Sequence, residues 1–158
     1  YNRYISYLLD SVAELESVRS IDEFQIYLGN NHSKLSKAVD LSMKIKGLIR
    51  KEVGEEIRLS IGIGPNPLLA KIAGKIKKPN GLQWLCKENM PGKINHLSLE
   101  DLPGISKGIK RRLLGARIYS IKDLHEMDPR HARLVWRSIE GERFVRALKG
   151  ENLSLIHI

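Results

Sequence analysis

Cysteine is nearly absent from this chain: the single Cys86 in 158 residues excludes an internal disulfide framework. Five scattered histidines (His32, His96, His125, His131 and His157) show no zinc-ligand spacing. No apolar run approaches the roughly 20 residues that a membrane span needs. The opening Tyr1-Asn2-Arg3-Tyr4 does not form a secretory signal, so a cytoplasmic, intracellular protein is expected. Acidic residues are the scarcer charged class, 18 against 27 Lys and Arg, which leaves a formal net charge of +9. That excess favours a polyanionic partner through phosphate neutralisation and counterion release, with nucleic acid first. A membrane surface is the competitor, but no helix pairs a Lys/Arg face with Trp and Phe opposite. The length accommodates one domain or two small ones.

Helical spacing of Ile5, Leu8, Leu9, Val12 and Leu15 predicts an amphipathic helix over 4–15. Residues 18–28 then alternate as a strand or hairpin, ending at Gly29-Asn30-Asn31. From Ser33 the apolar positions Leu35, Ala38, Val39, Ile45, Leu48, Ile49 and Val53 predict the longest helix, ended by Gly54. Ile57, Leu59, Ile61 and Ile63 alternate as a further strand. Asn66 is placed to cap a helix with Pro67 at its first position, whose buried stripe is Leu68, Leu69, Ile72, Ala73 and Ile76. Residues 82–85 return as a short edge strand. Gly62-x-Gly64 lacks the third glycine of a dinucleotide fingerprint and the Gly-Lys-Ser/Thr ending of a phosphate loop.

After Cys86 the composition shifts to short helical segments separated by Pro and Gly, and a domain boundary is placed there. Leu102-Pro103-Gly104-Ile105 opens a turn, followed by Lys107, Lys110, Arg111 and Arg112 on a helix. Helix, glycine turn, helix is an arrangement whose amides can meet phosphate oxygens while the cations add charge, without reading base sequence. A helical connector with a solvated basic face is the competing reading. Basic residues continue through Arg130, Arg133, Arg137, Arg143, Arg146 and Lys149, with Leu134, Val135, Ile139, Phe144, Val145 and Leu148 as the matching core.

The sharpest chemical feature is Ser20-Ile21-Asp22-Glu23. Neighbouring side chains on a regular strand face opposite ways, so Asp22 and Glu23 can share a site only where the strand ends or turns. Paired carboxylates at such a place suit Mg²⁺, which takes hard oxygen ligands from one or two carboxylates and the rest from water and phosphates. A solvated polar hairpin end is the alternative for four residues taken alone.

Taken in order, Ser20-Ile21-Asp22-Glu23, then Ser60-Ile61-Gly62-Ile63-Gly64-Pro65-Asn66 with Leu69-Ala70-Lys71-Ile72-Ala73, then Lys78-Pro79-Asn80-Gly81, then Leu102-Pro103-Gly104-Ile105, resemble the Y-family translesion DNA polymerases. The resemblance runs from about Tyr4 to Glu151. It implies an α/β (α+β) partial palm domain over 1–85, with a mixed or antiparallel sheet and packed helices. A small all-α helix-hairpin-helix thumb over 86–152 and a linker stump over 153–158 would follow. It further implies that Asp22 and Glu23 are catalytic, metal-binding carboxylates of a two-Mg²⁺ site and that Lys78 contacts the incoming triphosphate. Gly104, Ile105, Ser106, Lys107, Lys110 and Arg111 would hold duplex DNA by its backbone. Primer-template DNA and dNTP are the implied partners, with a sliding clamp or other replication and repair proteins reached through regions outside this chain, a nucleoid-associated location and no membrane.

The family's remaining metal-binding aspartate, its fingers and its C-terminal DNA-gripping domain have no counterpart here, which gives the expectation of a fragment inactive by itself. Arg19, Phe24, Gln25 and Tyr27 depart from the family's usual residues around the carboxylates. Ser106 replaces a second glycine of the turn, and Arg117 stands where a helix-ending glycine is usual. In a left-handed conformation Arg117 would carry strain on the order of 1 kcal/mol. The rival from another class is a non-catalytic DNA-binding or scaffold subunit that kept the fold; retention of both Asp22 and Glu23 favours the enzyme.

Overall fold

The computed structural model describes residues 15–18, 24–26, 35–54, 59–76 and 81–151, in two compact units, Tyr1–Ile61 and Gly62–Ile158. The helix expected over 4–15 lies outside the described residues apart from Leu15, which opens a strand.

In the first unit, β1 (Leu15–Val18) and β2 (Phe24–Ile26) pair antiparallel, with Leu15 opposite Ile26 and Val18 opposite Phe24 and an irregularity between Leu15 and Ser17. The strand or hairpin expected over 18–28 thus starts earlier, at Leu15, and within that run the described strand residues are Val18 and Phe24–Ile26. Helix α1 spans Leu35–Glu52. Its buried residues Ala38, Leu41, Ser42, Ile45 and Ile49 recur at intervals of three, four and seven, which places them on one face. Ser42 stays dry at no loss, because its hydroxyl donates to the Ala38 carbonyl at 2.8 Å. Gly54, at φ +145°, ends the helix by donating its amide to the Ile49 carbonyl at 3.2 Å.

The second unit begins with a strand–helix–strand turn of chain. Strand β3 (Ile61–Ile63) neighbours β4 (Leu82–Trp84), and α2 (Pro67–Ile76) joins them. The two glycines of the Gly62-Ile63-Gly64 run serve this packing. A Cβ on Gly62 would run into the Ala70 carbonyl and the Gly74 amide, and one on Gly64 would lie 2.6 Å from the Ala70 nitrogen. Strand and helix therefore meet backbone to backbone. Leu69, Ile72 and Ala73 are the buried face of α2, flanked by half-buried Leu68 and Ile76, as the spacing predicts.

Three short 3₁₀ turns follow, at Lys87–Asn89, Gly92–Ile94 and Leu99–Asp101, then α3 (Lys107–Gly115), α4 (Ile121–Glu126), α5 (Pro129–Trp136) and α6 (Ile139–Leu148). Each α-helix of this group starts on a side-chain cap: Ser106, Ser120, Asp128 and Ser138 accept from the amides of Ile109, Asp123, Arg130 and Glu140. The pair α5–α6 closes tightly on Gly141, where a Cβ would lie 2.6 Å from that of Trp136.

One apolar cluster runs through this unit, joining Leu69, Ile72 and Leu85 to Ile94, Leu99, Leu113, Ile121, Leu124, Val145 and Leu148. The change of composition at Cys86 is therefore not a break in packing. Two of the core expectations are corrected. Leu134 is 75% exposed and Ile139 37% exposed. Helix α5 turns Ala132 and Trp136, four apart, inward, and that leaves Leu134 on the opposite side.

Candidate nucleic-acid interface

The turn before α3 is built by its sequence. Pro103 pre-sets the first central position, Gly104 takes φ +86° at the second, and the Ile105 amide donates to the Leu102 carbonyl at 3.3 Å, as a type II turn requires. Leu102 and Ile105 are buried on either side, and Phe144 lies below the turn, 3.6 Å from where a Cβ on Gly104 would be. The backbone at the tip is thereby held from beneath. An expected helix before the turn is a single 3₁₀ turn, Leu99–Asp101.

Ser106 then does the work of a helix start. Its hydroxyl accepts from the Ile109 amide at 3.2 Å and its carbonyl from the Lys110 amide at 2.9 Å. The amides of Lys107 and Gly108 precede the first intrahelical bond and point outward at the positive end of the helix dipole. Gly108 has no packing reason to be glycine: the nearest atom to a Cβ there is Ser106 Oγ at 3.8 Å.

The cations divide by what they touch. Lys107 and Arg111, one helical turn apart, are exposed and make no ion pair or side-chain hydrogen bond with any other described residue. Lys110 pairs with Glu100 at 2.9 Å across the turn. A hydrogen bond to its own backbone amide, then Lys110, hold the Glu100 carboxyl below the usual carboxylate range. Arg112 is spent internally, its guanidinium donating to the Trp136 carbonyl at 3.0 Å. Of the later arginines, Arg143 meets Glu140 at 3.1 Å and Arg146 meets Glu142 at 3.0 Å and Glu151 at 3.4 Å, whereas Arg133 reaches Glu142 only at 3.9 Å and Arg130 and Arg137 make no ion pair with another described residue. Under the turn lies a shallow groove of about 280 Å³ lined by Leu68, Gly104, Trp136, Phe144 and Ala147, with Glu140 and Arg143 at its rim.

Of the residues singled out in sequence, Gly104, Ile105, Ser106, Lys107, Lys110 and Arg111 are thus brought together in one turn and the helix it starts. Asp22, Glu23 and Lys78 lie outside the described residues. Among the described residues no cluster of His, Cys, Asp or Glu could hold a metal ion, and no helix is long and apolar enough to cross a membrane. Sequence reasoning missed Glu100, ten positions from its partner, which no local spacing rule connects to Lys110. It also passed over Gly108, whose signal was a glycine inside a helical pattern.

Comparison with known proteins agrees with this architecture. Residues 1–75 match the family described as impB/mucB/samB. A DNA polymerase IV of Picrophilus torridus is 30% identical over 131 residues, covering 81% of this chain and 36% of that protein. The insertion ternary complex of Dbh DNA polymerase superposes with a TM-score of 0.75 at 27% identity, over 94% of this chain and 42% of that one. A DinB family error-prone DNA polymerase from Sulfolobus solfataricus gives a TM-score of 0.74 at 26% identity, over 95% of this chain and 46% of the other. By sequence and by fold the chain is a relative of the Y-family DNA polymerases. It spans 36% of the length of the Picrophilus torridus relative.

Proposed function

We propose that this chain is the palm (1–85) and thumb (86–152) portion of a lesion-bypass DNA-directed DNA polymerase, acting on primer-template DNA and dNTP in the cytoplasm. The observation that carries the DNA-binding half of this reading is the turn at Gly104: two amides at a helix start free of intrahelical bonds, with two cations beside them that pair with no other described residue. That set suits phosphate oxygens and carries no base-reading group. Gly104, Ile105 and Ser106 build the turn that aims the Lys107 and Gly108 amides, Lys107 and Arg111 present charge, and Lys110 joins them when a phosphate competes with Glu100. The turn and α3 support a helix-hairpin-helix reading of this region, with a 3₁₀ turn in place of its first helix.

Asp22 and Glu23 are the residues that would hold Mg²⁺. In sequence they lie between β1 and β2, whose described residues pair antiparallel as far as Val18 and Phe24. Bound there with substrate phosphates, Mg²⁺ would neutralise charge developing in phosphoryl transfer. Lys78 is assigned to the triphosphate, where a cation stabilises the leaving pyrophosphate. A sliding clamp or repair partner would engage regions outside this chain. The names of the relatives weigh against the binding-only rival.

The test is duplex binding by the 158-residue chain with Lys107→Glu and Arg111→Glu together. Affinity should fall for every sequence alike. A loss confined to one sequence, or no loss, would defeat the backbone-contact reading.

A further inference from the structure

Asn66 is 5% exposed, and its amide is fully used. Oδ1 accepts from the Leu69 amide at 3.0 Å and caps α2. Nδ2 donates twice, to the Ala147 carbonyl at 2.9 Å and to the Glu151 carbonyl at 2.8 Å. Capping alone needs only the oxygen, so the two donors call for a separate explanation. They reach the far end of α6, which closes on Gly150 at φ +94° with the Gly150 amide on Ala147 and the Glu151 amide on Arg146. The start of α2, positive, thus meets the end of α6, negative, and one side chain ties them together.

The geometry points to Asn66 as a positioning residue that fixes bound DNA relative to α2. The path is short. Asn66 holds the C-terminus of α6, and Phe144 on α6 supports Gly104 at the tip of the turn. The same α2 leads in sequence to Lys78. Asn66 touches neither DNA nor nucleotide in this account; it sets the distance between the helix on the nucleotide side and the turn on the DNA side. Displacement of about 1 Å in such a geometry costs a polymerase on the order of a hundredfold in rate. This inference rests on the DNA-binding reading of the turn for its function, but not for its geometry.

The test separates the cap from the tie. Asn66→Ser keeps a capping oxygen and loses both donors, and Asn66→Asp caps as well while turning a carboxylate toward two carbonyls. In a Cys86→Ser background, energy transfer is measured from a dye at Lys75→Cys on α2 to a dye at the end of a bound duplex. A spin-label pair at Lys75→Cys and Lys122→Cys reports the protein alone. The unsubstituted residue should give one narrow distance in both. With Ser or Asp at 66, both distances should broaden or shift, while DNA affinity and protection of the Leu69 amide persist. Unchanged distances would overturn the inference, by showing that apolar packing alone sets the arrangement. Unfolding of both variants would also overturn it, making Asn66 a fold residue only. If the unsubstituted chain binds no duplex, the reading of the turn fails by itself, and the spin-label pair still decides the role of Asn66.

Discussion

Arg117 and Arg137 sit at φ +64° and +60°, a left-handed conformation in which a Cβ crowds the following carbonyl oxygen. Arg137 directly follows α5, and Arg117 stands one residue beyond Ala116 at the end of α3. Ile118 and Arg117 donate back to Leu113 and Leu114, and Ser138 and Arg137 to Arg133 and Leu134, so both helices close in the same reverse-turn pattern. The strain expected at Arg117 from its sequence position is therefore present, and Arg137 repeats it. Replacing either by Gly should stabilise the chain by on the order of 1 kcal/mol, read as a raised urea midpoint at unchanged slope. Equal or lower stability would mean that the arginine stems pack well enough to offset the strain. At Glu100 the expectation concerns binding, because its pair with Lys110 is exposed on both sides and adds little stability. Glu100→Gln should leave the urea midpoint in place and tighten duplex binding, since Lys110 no longer has to exchange one anion for another. Acid should do the same: the lowered Glu100 carboxyl stays charged through the ordinary carboxylate range and releases Lys110 only as pH falls through its depressed value. Unaltered affinity in the variant would remove Lys110 from the interface.

Glycines separate the elements that pack from the turn proposed to bind. Gly62 and Gly64 face backbone atoms of α2 that cannot yield, whereas a Cβ on Gly108 at the start of α3 would meet only Ser106 Oγ, at an ordinary 3.8 Å. Gly62→Ala should therefore cost about 3 kcal/mol, the upper end of overpacking penalties, and it should do so whether or not DNA is present. Gly108→Ala should have opposite effects on two readouts. Helix α3 gains up to about 1 kcal/mol from the better helix former, while duplex affinity drops because a methyl now stands between the amides and an approaching phosphate. A stabilised variant that binds as before would show that Gly108 is not at the interface. The same contrast explains what could be read in the sequence. Periodicity found α1, α2 and the buried stripe of α2, and Asn66 and Pro67 marked a helix start, because these signals are local. On α1 it found Ala38, Ile45 and Ile49 but missed Leu41 and Ser42, and Val39, Leu48 and Val53 are only half-buried. Leu134 was misassigned because α5 is only eight residues long, too few turns for periodicity to decide which side faces Trp136 and the core. The partners of Arg112, Lys110 and Asn66 were illegible because each bond spans 10 to 85 positions. What the four motifs disclosed, through their order, was the family.

Across the whole molecule the formal charge of +9 overstates what DNA can use. On α6 itself Arg143 and Arg146 already have carboxylates, and Arg112 donates to a carbonyl. The interface proposed at the turn offers three cations, Lys107, Lys110 and Arg111. Each phosphate neutralised on a duplex contributes about 0.9 to the fall of log K with log salt. Three contacts predict a slope of about −3, against about −8 if nine excess charges all met phosphate. The measurement is a duplex titration of the 158-residue chain at several salt concentrations. Lys107→Ala should reduce the slope by about 1 and weaken all sequences equally. In contrast, Arg143→Ala, which removes a cation already held by Glu140, should leave it unchanged. A slope near −8, or one that Lys107→Ala does not move, would locate the DNA on another face of the chain and turn the paired arginines of α6 into the first candidates for it.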